Sequence, residues 1–125
     1  MRLKSAVWVG AYLRRCSGEG IPAVVVSRGA EEAGAVFVKV NRLDGTATVL
    51  GPAPQASFED SRPVERLWVH ATGTEPVNEA EADAYLARQQ RYDPDVWILE
   101  IEERSGRHLI EPIVQERRDD PFPFG

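Results

Sequence analysis

The strongest constraint on this chain is a set of three β-rich runs in its first half: Ala23-Val-Val-Val-Ser-Arg-Gly29, Ala35-Val-Phe-Val-Lys-Val-Asn41 and Thr46-Ala-Thr-Val-Leu-Gly-Pro52. β-Branched and small apolar residues in such runs fit a pleated surface better than a helix. Asp44-Gly45 supplies a residue that accepts positive φ, so the second and third runs are joined by a tight reversal. Gly29 to Gly34 separate the first run from the second. The spacing predicts an antiparallel meander, three strands side by side in chain order. This defines a scaffold and names no chemistry.

The rest of the chain fits around that sheet. Ser5 is placed to cap a helix running to Cys16, with Ala6, Trp8, Val9, Tyr12, Leu13 and Cys16 on one stripe at 100° per residue. Ser17-Gly-Glu-Gly20 ends it, and Pro22 bars its continuation. Arg66 to Ala71 alternates as a fourth strand, and Thr72 to Pro76 reads as a turn. Asn78 opens a second helix with Glu79, Glu81 and Asp83 where the helix dipole favours anions. Ala82, Tyr85, Leu86 and Gln89 mark its inner face, and Pro94 forces its end at Asp93. Val96 to Glu102 is the fifth strand, and His108 to Ile110 a short further one. The expected fold is α+β: a single domain over residues 1–114, with a five-stranded, mainly antiparallel sheet and two helices on one face. The proline-bearing stretch Gly51–Val64 and the tail Gln115–Gly125 lack apolar periodicity and are expected to be flexible.

Composition narrows the function classes. A chain of 125 residues can bury roughly 70 % of its surface around one core without disulfides. Its single cysteine, Cys16, excludes a disulfide framework and a multi-cysteine zinc site. With two histidines and no HxH or HExxH spacing, neither a metal nor a cofactor is expected. No apolar run approaches the roughly 20 residues of a membrane span. The N-terminal segment is broken by Gly10 and Tyr12 and followed by Arg14-Arg15, which is unlike a cleavable signal, so a cytoplasmic location is expected. Residues 1–42 hold seven Lys and Arg against three acids, and residues 43–125 hold eight against seventeen. The acidic balance argues against nucleic acid as a partner. The basic first third reads either as an anion-facing patch or as ordinary solubilising charge.

Alternation assigns residues to two sheet faces. Val36, Val38, Val40, Leu67, Val69, Ala71, Trp97, Leu99 and Ile101 form the face that the helices cover. Phe37, Lys39, Arg66, Trp68, His70, Ile98 and Glu100 then share the opposite face, too apolar for free solvation and too polar for a second core. Such a face suits a second subunit or another protein. The expected function is a small binding or adaptor module that homodimerises through it. The alternative is a small enzyme or an anionic-ligand-binding protein with a pocket near His70, Lys39 and the Gly51–Val64 loop. Histidine is the side chain whose unperturbed pKa lies near neutrality, which makes His70 the candidate for proton chemistry, and Lys39, Arg66 and His70 would form a cationic cluster for an acidic peptide or compact anion. Against this stands neutralisation of the cations by Glu100 and Glu102 across the strands. Cys16, on the apolar stripe, reads as an inert core thiol.

Several separate motifs also agree with one known family. Met1-Arg-Leu-Lys-Ser5, Trp8-Val-Gly-Ala-Tyr-Leu-Arg-Arg-Cys16, Gly34-Ala-Val-Phe-Val-Lys-Val-Asn41, Ala84-Tyr-Leu-Ala-Arg-Gln89 and Asp93-Pro-Asp-Val-Trp97 resemble the bacterial "domain of unknown function 1491". The resemblance spans residues 1 to about 110 and implies no activity, cofactor or catalytic residue.

Overall fold

The reversal at Asp44-Gly45 forms as the sequence predicts. In the computed structural model, which describes residues 3–54 and 66–114, β2 (Val36–Asn41) and β3 (Thr46–Pro52) pair antiparallel, from Val38 opposite Leu50 to Asn41 opposite Ala47. Gly45 takes φ 89°, and Leu43 is left-handed too at φ 63°. Side chains hold the turn: Asn41 Oδ1 accepts from Leu43 N at 2.8 Å, and Asp44 Oδ1 from Thr46 N at 3.0 Å and Thr46 Oγ1 at 2.6 Å. Those bonds to Thr46 hold the Asp44 carboxyl below its usual range.

The meander does not form in chain order. The sheet runs β1 (Ala23–Ser27), β6 (Trp97–Glu102), β2, β3, β4 (Trp68–His70), with a two-residue β5 (Val77–Asn78) also on β3. β6 inserts between β1 and β2, antiparallel to β1 and parallel to β2. The reason is burial. β2, β3 and β6 are buried on both faces, whereas the three central residues of β1 are exposed. The most apolar strands take the centre, as doubly covered strands do.

The connection from β1 to β2 therefore crosses the end of β6. Ala30 N donates to Asp95 O at 2.9 Å, Trp97 N to Ala35 O at 2.7 Å, and Trp97 Nε1 to Ala30 O at 2.8 Å. A Cβ on Gly29 would lie 2.3 Å from Asp95 O, and one on Gly34 would lie 2.4 Å from it. These two glycines permit a crossing that reads, in the sequence, as a hairpin loop.

The two helices lie on opposite faces, not on one. α1 (Ser5–Gly18) packs Val9, Tyr12 and Cys16 against Val36, Val38, Val40, Trp97, Leu99 and Ile101. α2 (Glu79–Tyr92) packs Ala82 and Leu86 against Phe37, Val49, Val96 and Ile98. Strands apolar on both sides need cover on both sides, and each helix supplies one layer. β4 (Trp68–His70) is antiparallel to β3, β3 to β2, and β2 is parallel to β6. β4 and β6 thus run the same way, and α2 is the crossover between them.

Helix ends are tied by backbone as much as by side chain. Ser5 and Ala6 N donate to the Glu32 and Glu31 carbonyls at 3.0 and 2.9 Å, and Ser5 Oγ donates to Gly34 O at 2.5 Å. Ser5 is the first helical residue and Lys4 the cap, so the expected Ser5 cap is displaced by one position. Glu79 N donates to Gly45 O at 2.9 Å, which seats α2 on the hairpin turn. His108 to Ile110 forms no strand. Instead Trp68 N donates to Pro112 O at 3.2 Å and Val114 N to Trp68 O at 2.7 Å, so residues 112–114 line the β4 edge. The flexibility expected of the 51–64 stretch concerns mainly residues 55–64, which with the tail 115–125 lie outside the described residues.

Gly29→Ala should lower stability by about 1–3 kcal/mol, because its methyl would overlap the Asp95 carbonyl and the Val96 backbone. Gly18→Ala, with nothing within 4 Å, should be neutral or stabilising by up to about 1 kcal/mol. Urea unfolding midpoints of the two variants against the parent check both.

Candidate functional site

The sheet face under α2 holds the most polar group in the interior. Lys39, near the middle of β2, sits between Val49 on β3 and Glu100 on β6. Its side chain is only 5 % exposed. Glu79 and Asp83, one helical turn apart on α2, reach down to it. Lys39 Nζ donates to Glu79 Oε2 at 2.7 Å and Asp83 Oδ1 at 2.8 Å, with Glu100 Oε1 at 3.6 Å. Asn41 Nδ2 donates to Glu79 Oε2 at 3.2 Å and Glu100 Oε2 at 3.1 Å, closing the ring. Burial is the largest single influence on Lys39 and opposes its charge. The bonds to Asp83 and Glu79 and the field of Glu100 outweigh it together, so its pKa is raised. The ammonium stands where the three carboxylates converge, joining helix to sheet.

The seven residues assigned to one face divide between two. Phe37, Lys39, Ile98 and Glu100 do share a face, but α2 covers it: Phe37 and Ile98 are buried, and Phe37 meets Tyr85 edge-on at 6.1 Å. Arg66 precedes β4 and reaches the start of α1, with Nη2 donating to Leu3 O and Ser5 Oγ, both at 3.0 Å. Trp68 is buried in the α1 layer, its ring 5.0 Å from that of Trp8. His70 pairs with Leu50, itself in that layer. The phase of β4 is therefore opposite to the expected one. Leu67, Trp68 and Val69 are consecutive apolar residues, so alternation leaves the phase open, and pairing with β3 settles it.

Two expectations fall with that phase. The Lys39, Arg66 and His70 cluster is not assembled, and no single pocket contains both His70 and Lys39, which lie on opposite sides of the sheet. The apolar crowding that argued for a dimer through this face is met within the chain by α2. His108, near His70, has its pKa lowered by burial first and by His70 second, and its Nδ1 accepts from Ile110 N at 3.0 Å. Cys16 is fully buried, and burial pushes its thiol pKa up, which disfavours the nucleophilic thiolate.

Two surfaces missed in the sequence remain open. The first is the β1 edge, which among the described residues pairs only with β6. Val24 and Val26 are each 58 % exposed and Val25 is 37 % exposed. Their signal was an unbroken valine run, lacking the alternation of a half-covered strand. The second is a cleft of about 260 Å³ between α1 and residues 109–111, on the side of the sheet away from Lys39.

Lys39→Met should destabilise by about 1–3 kcal/mol at neutral pH, because three carboxylates then converge with no cation between them. These carboxylates retain solvent access, with side chains 38 %, 59 % and 24 % exposed for Glu79, Asp83 and Glu100. Added salt should therefore narrow the gap between variant and parent. Urea unfolding at low and high sodium chloride reads both effects.

Comparison with known proteins places this architecture. The family model described as "Protein of unknown function (DUF1491)" matches residues 3–111. The crystal structure of a DUF1491 family protein from Caulobacter crescentus is 39 % identical, with a TM-score of 0.73, and the match covers 92 % of this chain and 100 % of that one. An NMR structure of a DUF1491 family protein from the same organism gives 39 % identity and a TM-score of 0.72, covering 92 % and 99 %. The solution structure of an A. tumefaciens protein gives 41 % identity and a TM-score of 0.68, covering 82 % and 86 %. No curated protein matches the chain. A family match over nearly the whole described fold, together with relatives near 40 % identity, shows that this chain belongs to the DUF1491 family of proteins of unknown function.

Proposed function

We propose that this chain is a small binding module of the bacterial cytoplasm that self-associates through the β1 edge. The exposed valines of β1 carry the reading. An edge strand presents unpaired N–H and C=O groups, and soluble proteins ordinarily protect such edges with charge, proline, bulges or a covering segment. Ala23–Ser27 contains no charged residue and no proline. Its register with β6 shifts between Val25 and Ser27, so the one irregularity of this edge is at Val26. At the other side of the sheet, residues 112–114 line β4.

A second copy is the occupant that the strand fits. Antiparallel pairing about a two-fold axis at Val25 sets Val24 of one copy opposite Val26 of the other and Val25 opposite itself. Apolar side chains meet apolar ones and no like charges face each other, as an isologous contact requires. Two sheets become one continuous sheet. A five-residue edge lies at the small end of stable interfaces, so the dimer is of micromolar strength and depends on concentration. The cytoplasmic reading draws support from the lone, fully buried cysteine. Among the described residues, no helix is long and apolar enough to cross a membrane.

Light scattering over a hundredfold range of concentration should show the mass rising from one chain towards two. Val25→Lys should hold the chain at one mass at all concentrations, with its unfolding midpoint within about 0.5 kcal/mol of the parent, as for an exposed site. A parent chain that stays monomeric throughout would refute self-association.

A further inference from the structure

The cleft beside α1 has a wall of one character and a rim of another. Its wall is apolar: Trp8, Tyr12, Leu3 and Ile110. Trp8 stacks on Tyr12 with centroids 5.0 Å apart and planes 14° apart, and it also meets Trp68 at 5.0 Å. The wall is thus braced from the core. The rim carries Arg15 and Glu111, one charge of each sign. They form no ion pair with each other, nor with any other described residue. Among the described residues the Arg15 side chain makes one hydrogen bond, from Nη1 to Leu109 O at 3.3 Å, which leaves most of its five N–H donors without a described partner.

The backbone opposite Arg15 is held in a costly form. Leu109 is left-handed at φ 62°, a conformation that residues bearing a side chain disfavour. Tyr12 Oη donates to His108 O at 2.8 Å, and Ile110 N to His108 Nδ1 at 3.0 Å. These bonds fix the turn that brings the Leu109 carbonyl to Arg15. Strain maintained by surrounding contacts directs attention to what it positions.

We propose that this cleft binds a free α-amino acid with a large apolar side chain. The side chain lies against Trp8 and Ile110, the carboxylate meets Arg15, and the ammonium meets Glu111. Charge complementarity selects this class. A simple anion would face Glu111, and a simple cation would face Arg15, whereas a zwitterion answers both. Size agrees, since about 260 Å³ falls below the roughly 300–1,000 Å³ of sites for drug-sized ligands and leaves little room for a nucleotide. The site lies on the α1 face and does not depend on pairing at β1.

The test is titration of the full chain, ¹⁵N-labelled, with L-phenylalanine, followed at the Trp8 indole N–H and the amides of Arg15 and Ile110. Phenylpropionate, which lacks the ammonium, and phenethylamine, which lacks the carboxylate, are the comparison probes. L-Phenylalanine should shift these signals, and each comparison probe should bind roughly fivefold more weakly. Arg15→Gln should weaken L-phenylalanine by a similar factor. Glu111→Gln should do the same while strengthening phenylpropionate, a reversal that loss of packing would not produce. Both side chains are on the rim, and an otherwise unchanged spectrum confirms the fold of each variant. Equal binding of all three probes, binding unaffected by Arg15→Gln, or no shift up to the solubility of L-phenylalanine would each overturn the proposal.

Discussion

The parallel pairing of β2 with β6 is the contact on which the rest of the architecture depends. Six consecutive residue pairs, from Val36 opposite Trp97 to Asn41 opposite Glu102, place the last described strand inside the sheet, between β1 and β2. β1 can then reach the sheet only from the outer side of β6. The loop between β1 and β2 must cross the end of that strand, which is why Gly29 and Gly34 press against the Asp95 carbonyl. The same loop receives the first N–H groups of α1 through the Glu31 and Glu32 carbonyls. One strand insertion thus sets the edge, the crossing loop and the seat of the first helix. It also makes the fold non-local, because β1 and β2 cannot be joined into the sheet until β6 is in place.

Burial of β2 on both faces has an electrostatic consequence. A lysine at the middle of such a strand must be neutralised where it stands, since moving an unpaired ammonium from water into the interior costs several kcal/mol. α2 supplies the answer from its first two turns. Glu79 and Asp83 favour the helix dipole and also complement Lys39. The acids that read in the sequence as helix-start signals are therefore the partners of the cation that read as a ligand contact. Asn41, bridging Glu79 and Glu100, extends the arrangement across β2 and β6. The result fixes the position of α2 over the sheet more specifically than Ala82 and Leu86 could by apolar contact alone.

What the sequence revealed follows from which physical signals are local. The Asp44-Gly45 reversal, the span of α2 from its Asn78 cap to Asp93, and the run Trp97–Glu102 are local patterns, and each formed within a residue or two of its expected limits. The two-helix, single-domain α+β class followed from them. Strand order did not, because periodicity tells which side chains share a face and not which strands are neighbours. The separation of the helices was misjudged for a related reason. Phe37 and Ile98 read, in the sequence, beside Lys39 and Glu100 as a mixed surface, whereas α2 satisfies Lys39 and covers the apolar members. β4 failed at its phase, where three apolar residues in a row carry no alternation. The exposed valines of β1 went unnoticed because an apolar run is ordinarily a sign of burial.

The distribution of basic residues gains a different meaning once the contacts are known. In the sequence, the excess of Lys and Arg before residue 43 reads either as an anion-facing patch or as ordinary solubilising charge. Most of these groups are engaged within the fold. Lys4 is 3.7 Å from Glu32, Arg28 lies over the Trp97 ring at 5.0 Å, Lys39 is shared by three acids, and Arg42 Nε donates to Arg104 O at 3.0 Å. A cation paired with a carboxylate contributes little long-range field, one held by a ring or a carbonyl keeps its charge but is fixed in place, and the chain as a whole remains acidic. Arg15 differs from them in its surroundings. Its single long bond to Leu109 O orients the guanidinium without neutralising it, and it stands beside an apolar wall with Glu111 across the opening. In both proposals recognition rests on local complementarity, at an edge and at a cleft, rather than on a broad charged surface, because the fold holds most of the described early cations in contacts of their own.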